Sequence, residues 1–257
     1  MKSSPLTKKE GLILLIGLII SICFGSHWSD LQSPLNDVLH KRLQSQSFKY
    51  PIKIVYFDDS SINQLGGWPV SRNLYSYLIH ILNQLGVAII GVDVFFPQTK
   101  PFLDEDDLLL VEMNQRFDNI VNSFYFTTAP ADSLPSSLPI APLELIELSN
   151  HHIKAVTPGY IQLPFQELLQ ANPRAGFSNV TVDTKGIIRT VPLLIKIGEK
   201  LYPSFSLRIA IEYLKKRPPV QKPLSLLNVL NSPLKRNYQI HYTAASENLE
   251  VFSALEL

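Results

Sequence analysis

The sequence is poor in the residues on which several classes of protein depend. A single cysteine among 257 residues excludes an intramolecular disulfide, and Cys23 lies inside a hydrophobic run, so it says little about the redox compartment. Charged residues make up only 18% of the chain and the net charge is +1, which leaves no electrostatic footprint for nucleic acid. Eleven glycines against nineteen prolines indicate many rigid loops, and no internal repeat is present.

Catalytic signatures are scarce as well. The sequence contains no Gly-x-Ser-x-Gly elbow, no P-loop and no zinc-binding helix pattern. His151 and His152 are adjacent, so on a regular element their side chains diverge and cannot chelate one ion together. Hydrolases with a strand-end aspartate nucleophile need an Asp-x-Asp pattern, whereas Asp58 and Asp59 are neighbours. We therefore expect a protein that is not an enzyme.

What the sequence does contain is a strand–helix–strand pattern. Residues 52–57 are β-branched and aromatic, and residues 87–96 form a second apolar run. Between them, apolar residues recur at helical spacing over 74–85, with Ser71 placed to cap the helix and Gly86 to end it. This spacing predicts a βαβ unit whose two strands are parallel neighbours.

Aspartates follow or interrupt both predicted strands. Because ligands of open α/β folds bind at the carboxyl edge of the sheet, this edge is the predicted site. Its candidate ligand-binding residues are Asp58, Asp59, Ser60, Trp68, Arg72, Asp93 and Asp104. Of these, Asp58, Asp59 and Asp93 would be the ligands if the site holds a hard cation, Mg²⁺ or Ca²⁺, although no cofactor is required by any motif. The same carboxylates would otherwise bind a cationic or polyhydroxyl ligand.

A structural interpretation of these residues stands beside the functional one. Asp58 would then cap the turn that follows it, and Asp104 would complement a helix dipole. Trp68 would pack in a loop against the sheet, with stacking on a ligand ring as the alternative. Arg72 would pair with a nearby aspartate and hold its loop in place, with anion binding as the alternative.

The N-terminal hydrophobic run predicts a membrane segment. Residues 11–25 carry no charge, follow two lysines and extend to Trp28, which suits a membrane interface. We predict a transmembrane helix over 11–28; a cleaved signal peptide and a buried core helix are the alternatives. Lysines in residues 1–10 place this tail in the cytoplasm by a modest margin.

The remainder of the chain predicts a mixed sheet. Helices are expected over 33–46, 102–117 and 204–216, strands over 119–127 and 238–243, and an antiparallel hairpin from 176–182 and 187–197. The predicted fold class is α/β: a mixed, largely parallel sheet with flanking helices and an antiparallel hairpin, preceded by one N-terminal transmembrane helix.

Several blocks of sequence resemble one family. They are Asp58-Asp59-Ser60-Ser61, Leu65-Gly66-Gly67-Trp68-Pro69, Arg72, Gly86, Asp93-Val94-Phe95-Phe96, Asp104, Leu108, Gly176-Phe177-Ser178-Asn179, Asp183, Gly186-Ile187-Ile188-Arg189, Val191-Pro192 and Tyr202-Pro203-Ser204-Phe205-Ser206-Leu207, with a weaker match over 239–242. In order and spacing they resemble the CHASE2 family of bacterial receptors. The resemblance spans roughly 37–257, nearly everything outside the hydrophobic segment.

The resemblance implies a role in signal transduction. It implies that residues 33–257 form an extracytoplasmic sensory domain, held at the inner (plasma) membrane by a single pass, that detects an unidentified small-molecule ligand. CHASE2 domains usually continue into another strand, several membrane helices and an output domain, none of which is recognised up to Leu257. The expected partners are therefore the membrane, the ligand, and either a second copy in a homodimer or a separate signalling-output protein. Two other functions stay open: a metal-dependent periplasmic hydrolase using the strand-end aspartates, and a structural envelope protein.

Overall fold

The computed structural model describes residues 52–128, 135–143, 155–182, 186–216, 237–239 and 250–254. The described residues from 54 to 239 and from 251 to 254 belong to one compact unit, Ile54–Ile240 with Val251–Leu257. The predicted transmembrane helix over 11–28 and the predicted helix over 33–46 lie outside the described residues. Within the described ranges, no helix combines the length and apolar character that a membrane crossing requires.

Five helices and eleven strands are found in these ranges. The helices are α1 (Asp59–Gln64), α2 (Arg72–Gln84), α3 (Glu105–Arg116), α4 (Gln166–Ala171) and α5 (Phe205–Lys216). The strands are β1 (Lys53–Tyr56), β2 (Ile90–Val92), β3 (Ile120–Phe126), β4 (Ile161–Gln162), β5 (Ala175–Phe177), β6 (Thr181–Val182), β7 (Ile188–Pro192), β8 (Leu194–Ile197), β9 (Lys200–Pro203), β10 (Asn237–Gln239) and β11 (Glu250–Ser253).

The central sheet is built on β3. β2 and β5 pair with β3 in parallel on its two sides, and β4 pairs antiparallel with the last residues of β3. The register places Val92 beside Asn122 and Phe124 beside Phe177. The mixed α/β sheet with three parallel strands is therefore confirmed. All three parallel strands bring their carboxyl ends to one edge.

The predicted pairing of the first two strands is wrong. Among the described strands, β1 pairs with β11 and not with β2. Tyr56 O accepts a hydrogen bond from Ala254 N at 2.9 Å, which continues this pairing. β1 is also not the buried strand that its composition suggested, because Ile54 is 42% and Tyr56 is 45% exposed. The third parallel strand of the sheet is instead β5.

The predicted antiparallel hairpin is present, but it is shorter than expected. β6 pairs antiparallel with β7, and β10 lies on the other side of β7. The residues before and after this hairpin belong to other pairings, since β5 joins the central sheet and β8 forms a second hairpin with β9. Gly198, at φ 57°, lies in the turn of that second hairpin and adopts a conformation that glycine accommodates without steric cost.

Helices cover both faces of the central sheet. Ile90 and Val92 pack in a core with residues of α2, α3 and α4. Successive strand residues point to opposite faces, so Gly91 faces the other way, where α5 lies. A Cβ built on Gly176 of β5 would be 2.6 Å from Phe205 Cα, so α5 approaches the sheet backbone at this glycine. This close approach fixes the position of the first turn of α5 near the carboxyl edge.

The serines before α2 and α5 differ in their capping contacts. Ser204 precedes α5, and its Oγ accepts from Leu207 N at 3.3 Å. Ser71 occupies the predicted cap position of α2 but makes no side-chain cap bond, and its hydroxyl instead donates to Asp106 at the start of α3. The predicted cap position is therefore confirmed without its side-chain hydrogen bond, and α2 begins and ends within three residues of the predicted bounds.

Candidate functional site

A carboxylate and two hydroxyls meet at the carboxyl edge of the central sheet. Ser178 Oγ donates to Asp93 Oδ1 at 2.6 Å, and Tyr125 Oη lies 3.4 Å from the same oxygen. Asp93 is exposed, and Tyr125 and Ser178 are half-buried. These three residues are called the Asp93 site below. All three can be reached from solvent.

The parallel strands explain why residues so distant in sequence meet here. Asp93 directly follows β2, Tyr125 is the penultimate residue of β3, and Ser178 directly follows β5. Parallel neighbours deliver their last residues to the same edge, so the register of the sheet places these side chains side by side. Sequence reasoning identified Asp93 but missed Tyr125 and Ser178. The sequence feature that could have identified Tyr125 and Ser178 is that each lies at the end of an apolar run.

Two further contacts hold this edge in place. Asn179 accepts from Phe126 N at 2.9 Å through Oδ1 and donates to Phe126 O at 2.7 Å through Nδ2. The side-chain amide of Asn179 thereby continues the hydrogen bonding between the two chain segments beyond the end of β5. The rings of Phe95 and Tyr125 pack edge to face, with centroids 5.7 Å apart and planes at 86°. The Phe95 ring and the Asp93 carboxylate therefore both contact the Tyr125 side chain.

The electrostatics of the site follow from its single charge. Burial raises the pKa of Tyr125, and the negative charge of Asp93 raises it further, against an opposing hydrogen bond from Ser123. No lysine, arginine or histidine forms an ion pair with Asp93 in the part of the chain that the structure describes. Within the described residues, hydroxyl groups and not cations therefore contact the Asp93 carboxylate.

Asp58 and its neighbours serve the helix that they begin. Asp58 caps α1 by accepting from Ser61 N at 2.8 Å, and it also accepts from the hydroxyls of Ser61 and Ser253. These hydrogen bonds, the one from the Ser61 hydroxyl first, lower the pKa of Asp58. The capping interpretation is confirmed for this residue. Asp59 is exposed in the first turn, and Ser60 Oγ accepts from Gln64 at 3.3 Å.

Arg72 and Asp104 meet at a third place, through Asp107 of α3. Arg72 forms an ion pair with Asp107 and donates to Pro97 O. Asp104 and Asp107 form a reciprocal capping box, and an ion pair with Lys100 lowers the pKa of Asp104. The predicted pairing of Arg72 with an aspartate is confirmed, and its partner is Asp107. The guanidinium also lies over the Phe165 ring, 4.9 Å from its centroid.

Trp68 does not pack as the sequence suggested. Its side chain is 60% exposed, while Val70, two residues later, enters the core. Gly66 and Gly67, at φ 90° and 108°, precede it and turn the chain in a way that other residues rarely allow, and the Trp68–Pro69 bond is cis. The prediction of a buried tryptophan is therefore wrong, because the turn directs the indole outwards.

The predicted site residues thus divide among separate contacts. Asp58 lies with Ser61 and Ser253, Arg72 and Asp104 meet through Asp107, and Asp93 lies with Tyr125 and Ser178. Within the described residues, no group of three or more histidines, cysteines, aspartates or glutamates is arranged to hold a metal ion.

Comparison with known proteins adds a family to this geometry. A family model described as the CHASE2 domain matches residues 13–256, nearly the whole chain. The chain belongs to the CHASE2 family. CHASE2 is a family of extracellular sensory domains. A sensory role is consistent with the scarcity of catalytic motifs in the sequence. No significant match was found among curated proteins or among solved structures.

Two of the CHASE2-like blocks converge on the Asp93 site. The block that starts at Asp93 and the block Gly176–Asn179 are more than 80 residues apart in the chain, yet Ser178 donates to Asp93 with a sequence separation of 85. The block that contains Phe205 packs on Gly176. Three of the blocks that carry the CHASE2 resemblance are therefore joined at this part of the sheet.

Proposed function

We propose that this CHASE2 domain is a membrane-anchored extracytoplasmic sensor that binds a small ligand at the Asp93 site. The observation that carries the proposal is an exposed carboxylate, without an ion-pair partner in the described residues, at the carboxyl edge of a parallel sheet. In such sheets this edge is where ligands usually bind. A second support is the meeting of two CHASE2-like blocks at the same carboxylate.

The other candidate residues have roles that leave little capacity for a ligand. Asp58 and Asp104 cap helices, and the charge of Arg72 is neutralised by Asp107. Asp93 differs from them because it begins no helix and pairs with no cation in the described ranges. It lies directly after β2, in an otherwise apolar stretch of sequence, and its carboxylate is exposed to solvent. This contrast selects the Asp93 site among the predicted residues.

In this proposal the signal passes to a second copy of the chain or to a separate protein that carries a kinase or cyclase module. Anchoring by residues 11–28, with residues 1–10 in the cytoplasm, would bring the sensor to such a partner in the plane of the membrane.

The first experiment tests location. Alkaline phosphatase and green fluorescent protein are fused, each in its own strain, after Leu257 of the full chain, and membranes are fractionated in parallel. Active phosphatase in the membrane fraction, without fluorescence, is expected for an anchored extracytoplasmic domain. A fluorescent fusion with inactive phosphatase would overturn the proposed location and with it the extracytoplasmic sensing.

The second experiment tests ligand binding. The full chain in neutral detergent is screened by thermal shift against a library of small metabolites, with the D93N and D59N variants beside the wild type. We expect at least one compound to raise the melting temperature of the wild type and of D59N but not of D93N. D59N is the matched control because it removes the same charge at another exposed carboxylate. Hits that D93N and D59N affect equally, or no hits, would count against the Asp93 site.

A further inference from the structure

The hydroxyl protons of the Asp93 site are already engaged. Ser178 donates its proton to Asp93 Oδ1 at 2.6 Å, and the Tyr125 hydroxyl lies 3.4 Å from the same carboxylate oxygen. A carboxylate has no proton to donate, so both hydroxyls act as donors in these contacts. The Ser178 oxygen keeps its lone pairs, and the Tyr125 oxygen, which also accepts from Ser123, keeps one. The site therefore presents acceptors to a ligand and offers it no free donor from these three side chains.

The two oxygens of Asp93 are used unequally. Both hydroxyl contacts fall on Oδ1, and Oδ2 has no hydrogen-bond partner in the described part of the chain. An incoming group can therefore reach one oxygen freely. A guanidinium fork requires two parallel contacts to both oxygens, and here one oxygen is already shared with Ser178 and Tyr125. The arrangement favours a single-point donor over a planar fork.

Charge favours a cationic ligand. Asp93 brings a negative charge without an ion-pair partner in the described residues, and an anionic ligand would be repelled by it. A neutral polyol would satisfy the acceptors, but it carries no charge of its own, so it gains less from the Asp93 carboxylate than a cationic donor does.

We propose that the Asp93 site takes the primary ammonium group of a small organic amine. An ammonium carries three donors and no acceptor, which matches one free carboxylate oxygen and two hydroxyl oxygens. The inference rests on the proposed ligand site and adds the chemical class of the ligand.

The test uses five probes that share a small size and differ in chemistry. Propylammonium is a cation with donors, tetramethylammonium a cation without donors, 1-propanol a neutral donor, and propionate an anion. Propylguanidinium is a cation with a planar fork of donors. The full chain, with ¹³C-labelled tyrosine rings, is titrated in neutral detergent with each probe. Loss of one signal in Y125F assigns Tyr125. D93N and the control D59N are titrated in the same way, and the other tyrosine signals report whether each variant is folded.

The proposal predicts a saturable shift of the Tyr125 signal by propylammonium in the wild type and in D59N. Affinity should fall about tenfold or more in D93N, because a hydrogen bond to a charged group is lost. The other probes should bind about tenfold more weakly than propylammonium or not at all. One of the other four probes could bind as tightly as propylammonium or more tightly, and lose affinity in D93N. That result would overturn the ammonium class and keep the ligand site. If D93N changes the response to none of the probes or library compounds, both the ammonium class and the Asp93 ligand site are overturned.

Discussion

The ion pair between Arg72 and Asp107 allows the magnitude of a mutation to be worked out from the structure. The Arg72 side chain is 16% exposed and that of Asp107 is 6% exposed, so replacing Arg72 by methionine leaves an almost buried carboxylate without its cation. Breaking such a pair costs about 3–5 kcal/mol. Asp107 still accepts from Asp104 N at 3.2 Å, which favours the lower end. We predict that R72M lowers the free energy of unfolding by about 3 kcal/mol.

Chemical denaturation of the full chain in neutral detergent measures this loss. K100M is the matched control, because Lys100 pairs with Asp104 where the two side chains are 58% and 40% exposed. Exposed ion pairs are screened by solvent and contribute little, so K100M should leave the free energy of unfolding nearly unchanged. R72K should lose less than R72M, since it keeps the charge and loses the planar contact with Phe165.

The pairing can also be tested by a double-mutant cycle with D107N. We expect the double variant to be more stable than the sum of the single losses predicts, by about 1–3 kcal/mol. A loss for R72M as small as that for K100M, or additive losses in the cycle, would refute the structural role of the ion pair. Phosphate binding that disappears in a fully stable R72M would instead favour the anion-binding alternative.

Three further predictions concern packing, titration and a buried amide. G176A should lower the free energy of unfolding by about 3 kcal/mol, because its Cβ would meet the backbone of α5 at 2.6 Å. G91A should lower it less, because its Cβ would meet the end of a flexible side chain. Equal losses of the two variants in thermal unfolding would contradict this. D93N should lower the pKa of Tyr125, although burial keeps this pKa above its usual range. Stability is lost at alkaline pH once the tyrosine of the unfolded chain ionises, and this loss should be smaller in D93N. An NMR titration of the Tyr125 ring that shows the same pKa in D93N and the wild type would contradict the prediction. N114A should cost about 2–4 kcal/mol, since the amide oxygen of Asn114 accepts two buried side-chain amides at 2.9 and 3.0 Å, and a loss below about 1 kcal/mol in denaturation would show that the amides find other partners.

The elements with strong periodicity were predictable because their signal is local. The apolar spacing of α2 and α5, the apolar run of β3 and the glycine after α2 each follow from residues within one element. The same holds for the helix caps at Asp58 and Ser204. Family resemblance supplied the sensory role, and the family match over 13–256 confirmed the family.

Two of the differences from the predictions involve distant residues. Ser71 makes no side-chain cap bond, and its hydroxyl instead donates to Asp106, 35 residues away. β1 pairs with β11, and no local pattern in either strand contains that choice. Trp68 is a local case, because the turn at Gly66 and Gly67 precedes it and Val70 enters the core. Hydrophobic periodicity represents neither a distant contact nor an irregular turn.

The amino-acid sequence by itself determined α2, α3 and α5, the strand that Asp93 follows, and the family, because these depend on residues close together or on ordered motifs. Only the tertiary structure decided which candidates share a site. Asp93 meets Ser178 and Tyr125 because β2 and β5 both pair in parallel with β3, and strand pairing joins residues without regard to their distance along the chain. The same pairing separates Asp93 from Asp58, which caps a helix of its own.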